Sequence, residues 1–78
     1  MDSDNLIRMA NRIGDFFVAM PDREEAIAGI TDHLRKFWEP RMRRQLYAAL
    51  DAGHATGLHE IIREAVDRHR AALEPAAS

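Results

Sequence analysis

Apolar residues along this chain recur at intervals of three and four, the repeat of a helix face, and no segment alternates with the period of two that a strand needs. From Leu6 the first stripe runs Leu6, Ala10, Ile13, Phe17 and Met20. Ile7, Met9 and Phe16 lie beside it, so this helix is apolar over more than one contact face. Ser3 or Asp4 is placed to cap its start. The stretch from Met20 to Glu25 then reads as a stop and a start. Pro21 disfavours helix at Met20, and Asp22 can cap a new helix with an acidic first turn. The second stripe is Ile27, Ile30, Leu34 and Phe37, widened by Ala26 and Trp38, and places Phe37 in the core. Gly29 within it weakens the helix but admits close approach of a neighbour.

Pro40 cannot continue that helix, because it lacks an amide donor and its ring would clash with the Lys36 carbonyl. A third helix therefore starts near Pro40, with Met42, Leu46, Ala49 and Leu50 as its stripe. Gly53-His54-Ala55-Thr56-Gly57 reads as a turn. Thr56 or Gly57 can open a last helix whose face is Leu58, Ile61, Ile62, Ala65, Val66, His69 and Leu73. The expected fold is all-α: one small bundle of three to four short helices over residues 1–74, with a proline break near Pro40. The helices are placed at about 4–19, 22–38, 40–52 and 57–73, followed by a frayed tail at 75–78.

Length sharpens this picture. A chain of 78 residues forms one domain that buries only about 60–65% of its unfolded surface, which leaves a thin core and excludes a multi-domain enzyme. It contains no cysteine, which excludes disulfides, thiolate metal sites, cluster ligation and a nucleophilic thiol from this chain. The formal charge of −2 gives no global attraction to nucleic acid or anionic membranes. The start Met1-Asp2-Ser3-Asp4-Asn5 has neither the basic region nor the apolar run of a signal peptide or membrane span, so a cytoplasmic location is expected.

Candidate chemistry is sparse. His54 and His59, with Glu60 and with His33 or His69 arriving from elsewhere, could suggest a metal site. Their spacing straddles two glycines and a helix start, unlike ligands one turn apart, so capping or solvent-facing histidines are expected. Asp15, Asp32 and Glu39 are available carboxylates, but charged residues on amphipathic helices are ordinarily solvated, and no catalytic, cofactor-binding or metal residue is assigned. The most unusual stretch is Arg35, Lys36, Arg41, Arg43 and Arg44 with Phe37, Trp38 and Met42 interleaved. Nucleic-acid contact is one reading of it. A protein interface is the other and the preferred one, since Trp, Arg and Met are enriched there. A third has Trp38 packed internally and the arginines solvated.

Two blocks carry a family resemblance: Leu6-Ile7-Arg8-Met9-Ala10-Asn11-Arg12-Ile13-Gly14-Asp15-Phe16-Phe17, and His33-Leu34-Arg35-Lys36-Phe37-Trp38-Glu39-Pro40-Arg41-Met42-Arg43. Over roughly residues 5 to 46 the chain resembles the delta-subunit family of soluble NAD-dependent formate dehydrogenases; beyond Gly53 the likeness is only that of a short helical end. The resemblance implies a small accessory subunit of a molybdenum- or tungsten-dependent enzyme that oxidises formate to carbon dioxide and reduces NAD. It assigns the pterin-bound metal and iron–sulfur clusters to the alpha subunit, flavin and further clusters to the beta and gamma subunits, and no cofactor to this chain. The expected contact with the catalytic alpha subunit comprises Arg8, Met9, Phe16, Phe37, Trp38, Pro40, Arg41, Met42 and Arg43, and its expected effect is assembly or stability of the complex. A transient chaperone for cofactor insertion, a self-associating bundle and a nucleic-acid-binding module are the alternatives.

Overall fold

The computed structural model describes residues 2–75. Five helices follow one another: α1 (Ser3–Phe17), α2 (Arg23–Phe37), α3 (Pro40–Asp51), α4 (Glu60–Arg68) and α5 (Arg70–Leu73). The all-helical bundle with its break at Pro40 is thus the observed fold, and no strand occurs among the described residues. α2 lies at the centre of the packing, against α1, α4 and α5, while α1 also contacts α3 and α4. The radius of gyration is 11.5 Å, which is what a fully collapsed chain of this length gives. Of the expected tail at 75–78, residues 76–78 lie outside the described region.

Local chemistry explains each boundary. Asp2, one residue before the expected caps Ser3 and Asp4, accepts the Asn5 amide at 2.8 Å and starts α1. Asp22 accepts the amides of Glu24 (2.9 Å) and Glu25 (3.3 Å) and starts α2. Pro40 occupies the first turn of α3, where its missing N–H costs nothing. α3 ends in a Schellman motif: the Gly53 amide donates to the Leu50 carbonyl (3.1 Å) and the His54 amide to the Ala49 carbonyl (2.8 Å). Gly53 supplies the required φ of +75°.

The last segment differs from the expected helix at 57–73. α4 begins at Glu60, because the Asn11 side chain of α1 holds the preceding backbone in a non-helical course. Asn11 donates to the Gly57 carbonyl (2.9 Å) and accepts the His59 amide (2.7 Å). Ala55 and Leu58 are buried beneath this clasp, and Arg63 donates to the Ala55 carbonyl at 2.7 Å. At the other end the helix breaks at His69. The Val66 carbonyl, whose helical donor would be the Arg70 amide, instead accepts the Tyr47 hydroxyl at 2.7 Å.

The core contains Leu6 and Ala10 from α1, Ile27, Ile30 and Leu34 from α2, Leu46 and Tyr47 from α3, Ile61, Ile62, Ala65 and Val66 from α4, and Leu73 from α5. Two glycines mark where helices approach closely. A Cβ at Gly14 would stand 3.0 Å from Ile62 of α4, and one at Gly29 would stand 2.5 Å from the Phe17 ring of α1. Gly29 therefore does provide the space for a neighbour that its position suggested.

Candidate functional site

Three of the rows of residues four apart along α1 differ in their fates. Leu6, Ala10 and Gly14 are buried; Met9, Ile13 and Phe17 are half-buried; Arg8, Arg12 and Phe16 face outward. α2 repeats the arrangement. Ala26, Ile30, Leu34 and Trp38 form a buried row, and Gly29, His33 and Phe37 form the row beside it. The outer rows meet where α1 ends: Phe16 lies edge-on to Phe17 (5.1 Å, 85°), Phe17 to His33 (6.4 Å, 66°), and His33 is tilted against Phe37 (4.9 Å, 44°). Four rings thus make a continuous ladder across two helices. At its α1 end is a groove of about 360 Å³ lined by Arg12, Ile13, Phe16, Phe17 and His33.

Two aromatic positions depart from the reading of the sequence. Phe37 was placed on the apolar line of α2, yet it is 72% exposed. Its four-residue row is that of Gly29 and His33, which the Phe17 ring reaches, and α1 ends at Phe17, short of Phe37. Trp38 was placed at the partner contact, yet it is 5% exposed and belongs to the core. It completes the buried row of Ile30 and Leu34, and as the C-cap of α2 its backbone is already extended (ψ 128°), turning the chain toward Pro40. Internal packing is therefore what is found for Trp38, whereas Phe16, the other large ring of the expected contact, is 71% exposed.

The remaining residues of the expected contact are distributed over the surface and its edge. Arg8, Pro40 and Arg41 are exposed; Met9, Met42 and Arg43 are half-buried, with both methionines packed on the core. Arg43 turns inward and donates to the Leu73 carbonyl at 3.1 Å, satisfying an end of α5. Its Nε is buried without a hydrogen-bond partner among the described residues. Arg35 and Lys36 are engaged by Asp32 at 3.3 and 3.0 Å. Lys36 first, then Arg35, hold the Asp32 carboxyl below its ordinary pKa. Of the basic stretch, only Arg41 and Arg44 make no ion pair or side-chain hydrogen bond among the described residues; in α1 the same holds for Arg8 and Arg12.

A second depression, of about 540 Å³, is lined by Arg23, Glu60, Arg63, Glu64, Asp67 and Arg68. Its charges are largely consumed by one another. Glu64 accepts from Arg23 and Arg68, both at 2.6 Å, and Arg68 also reaches Glu24 at 2.6 Å. The Arg23 hydrogen bond holds the Glu64 carboxyl below its usual range. A comparable clamp joins α3 to α5, where Arg70 binds Asp51 (2.7 Å) and Glu74 (2.6 Å) and lies 4.7 Å over the Tyr47 ring. Burial pushes the Tyr47 hydroxyl up to about 12.

The histidines are spent on structure. His59 caps α4 and sits 3.6 Å from Asp15; His69 marks the α4–α5 break; His54 closes the Schellman turn; His33 belongs to the ring ladder. Among the described residues no group of three or more His, Asp or Glu is gathered to hold a metal ion, and no helix is long and apolar enough to cross a membrane.

Comparison with known proteins adds one finding to this geometry. The family described as FdsD, NADH-dependant formate dehydrogenase delta subunit, matches residues 5–66. That span takes in both outer rows, the Asn11 clasp and most of α4, and extends well past the stretch ending near residue 46 that carries the resemblance in the sequence. No curated protein and no solved structure matches the chain. With a family match covering most of its length, the chain belongs to the FdsD family of formate dehydrogenase delta subunits.

Proposed function

We propose that this chain is a non-catalytic accessory subunit that docks on the catalytic alpha subunit of a cytoplasmic NAD-dependent formate dehydrogenase, and so joins its beta and gamma subunits, supporting assembly or stability of the complex. The observation that carries this reading is the exposed ring ladder of Phe16, Phe17, His33 and Phe37 on an otherwise closed domain. A domain with a complete core gains nothing for its own fold from two phenylalanines left more than two-thirds in water. Burying each against a partner contributes about 1.5–3 kcal/mol before the costs of association. Binding to the folded state would in turn stabilise this chain by mass action.

The absence of cysteine agrees with the division of labour that the family implies. With no cysteine in the sequence, thiolate ligation of iron–sulfur clusters has to come from other chains of the complex, and this chain acts through surface alone. Within the expected contact, Phe16, Phe37, Arg8 and Arg41 are the residues available to a partner, with Pro40 beside them and Met9, Met42 and Arg43 at the margin. Trp38 supports the surface from behind by fixing the end of α2.

The test is affinity purification of the tagged chain from its native cells, with co-eluting proteins identified and formate-dependent NAD reduction assayed in the eluate. Stoichiometric recovery of a large iron–sulfur subunit with activity is the expected result. Recovery of the chain alone, or only with itself or nucleic acid, would replace this reading by one of the alternatives. Presence on an immature enzyme and absence from the active one would identify a transient chaperone.

A further inference from the structure

We infer that the groove between the ends of α1 and α2 receives an acid-bearing apolar segment of the partner. A large apolar side chain enters beside Phe16, Phe17 and His33, and an Asp or Glu within about one helical turn of it meets the Arg12 guanidinium. The inference rests on the docking reading above and adds the chemistry by which the partner is recognised.

Charge complementarity argues for this occupant. The groove is lined by Ile13 and the rings of Phe16, Phe17 and His33, together with Arg12. Arg8, one turn earlier in the same row, extends the positive edge. Neither arginine has an ion pair or side-chain hydrogen bond among the described residues, whereas Arg23, Arg35, Arg43, Arg63, Arg68 and Arg70 are all engaged. Two carboxylates near Arg12 and the groove are turned elsewhere: Asp15 toward His59 at 3.6 Å, and Asp32 toward Lys36 and Arg35. An arginine fork beside an apolar slot fits a carboxylate next to a hydrophobic anchor.

Other occupants fit less well. A second copy docked about a two-fold axis through the groove would set Arg8 and Arg12 of both chains against each other. A nucleic-acid strand would meet an overall charge of −2, with Arg12 as the arginine that lines the groove. Phe16 is also held edge-on to Phe17 instead of being left to swing onto a base.

The inference is tested by placing a photo-crosslinking benzoylphenylalanine at Phe16 in the full chain, irradiating it in cells, and mapping the linked peptide by mass spectrometry. The same probe at exposed Ala28, away from the groove, serves as reference. The expected peptide carries a large apolar residue with Asp or Glu within four positions. Arg12→Glu, at an exposed site, should lower the yield by at least about tenfold while Glu64→Gln leaves it unchanged. A peptide of a formate dehydrogenase subunit without such a carboxylate, or a yield indifferent to Arg12→Glu, overturns the groove chemistry and leaves the docking reading standing. An Arg12-dependent acidic peptide from an unrelated protein supports the groove chemistry and overturns the formate dehydrogenase assignment. Linkage to a second copy or to nucleic acid, or from position 28 alone, overturns the inference, and no linkage from either position overturns both.

Discussion

Two surfaces of this small bundle treat their charged and apolar groups in opposite ways. Along the seam between α2 and α4, Arg23, Glu24, Glu64 and Arg68 satisfy one another with contacts near 2.6 Å, and the surface is chemically finished. Between the ends of α1 and α2, Phe16 and Phe37 stand in water and Arg8 and Arg12 have no partner among the described residues. Both surfaces involve α2, so the difference does not come from one poorly packed helix. At the α2 row the last ring of α1, Phe17, reaches Gly29 and His33, while Phe37 one turn further on is left exposed. The finished seam joins α2 to α4, whereas the unfinished ladder is the surface proposed above to dock on another chain.

The comparison requires that the interior be closed independently of the ladder, and the largest expected effect probes that. Trp38→Ala removes a buried ring from the row of Ile30 and Leu34 and should destabilise the isolated domain by about 3–5 kcal/mol in chemical denaturation. An isolated domain unaffected by this change would mean that Trp38 belongs with the exposed rings after all.

Tyr47 sharpens the same point with a smaller effect. Tyr47→Phe leaves the Val66 carbonyl without its donor at the α4–α5 break and should cost about 1–3 kcal/mol. Alkali does the same reversibly. Because burial raises the folded pKa to about 12, above the ordinary value of 10, the folded state holds the proton more tightly than the unfolded state. The stabilisation is fully present below pH 10 and is lost as pH rises toward 12. Denaturation midpoints measured across that window should fall in the wild type, and less steeply in Tyr47→Phe.

The smallest effect belongs to the finished seam. Glu64→Gln should lower the thermal midpoint only slightly, with the difference disappearing at high salt, because the pairs are exposed. Acid acts in the same direction: Glu64, Asp51, Glu74 and Asp32 all have lowered pKa values. Their contribution is present above the ordinary carboxylate range and is lost as pH falls through the depressed folded values. A large loss of partner binding in Glu64→Gln would move the docking surface to the seam.

Much of the fold is legible in local sequence. Pro40 with the apolar rows, and Asp22 with its acidic first turn, specify breaks and starts through contacts within a few residues. What the local pattern does not reveal depends on residues far apart in the chain. Asn11 holds the backbone at 57 and 59 across 46 to 48 positions, and so delays α4. Arg43 looks like a surface charge in a basic run but reaches the Leu73 carbonyl. Phe37 and Trp38 are adjacent and both lie near the apolar stripe, so their assignment turns on which four-residue row α1 leaves uncovered. The row of Ala26, Ile30, Leu34 and Trp38 was the signal that could have placed Trp38 inside. Of the proposed docking surface, Phe16, Arg8 and Phe37 are residues the sequence offers for a contact, while Arg12, Phe17 and His33 join them only once α1 and α2 are packed.

The most direct test of the unfinished surface is the affinity of the purified full chain for formate dehydrogenase prepared from cells lacking it, comparing wild type with Phe16→Ser/Phe37→Ser. Both sites are exposed, so the double variant should keep the wild-type thermal midpoint while its affinity falls by about a hundredfold or more. Undiminished affinity in a folded double variant would contradict the account.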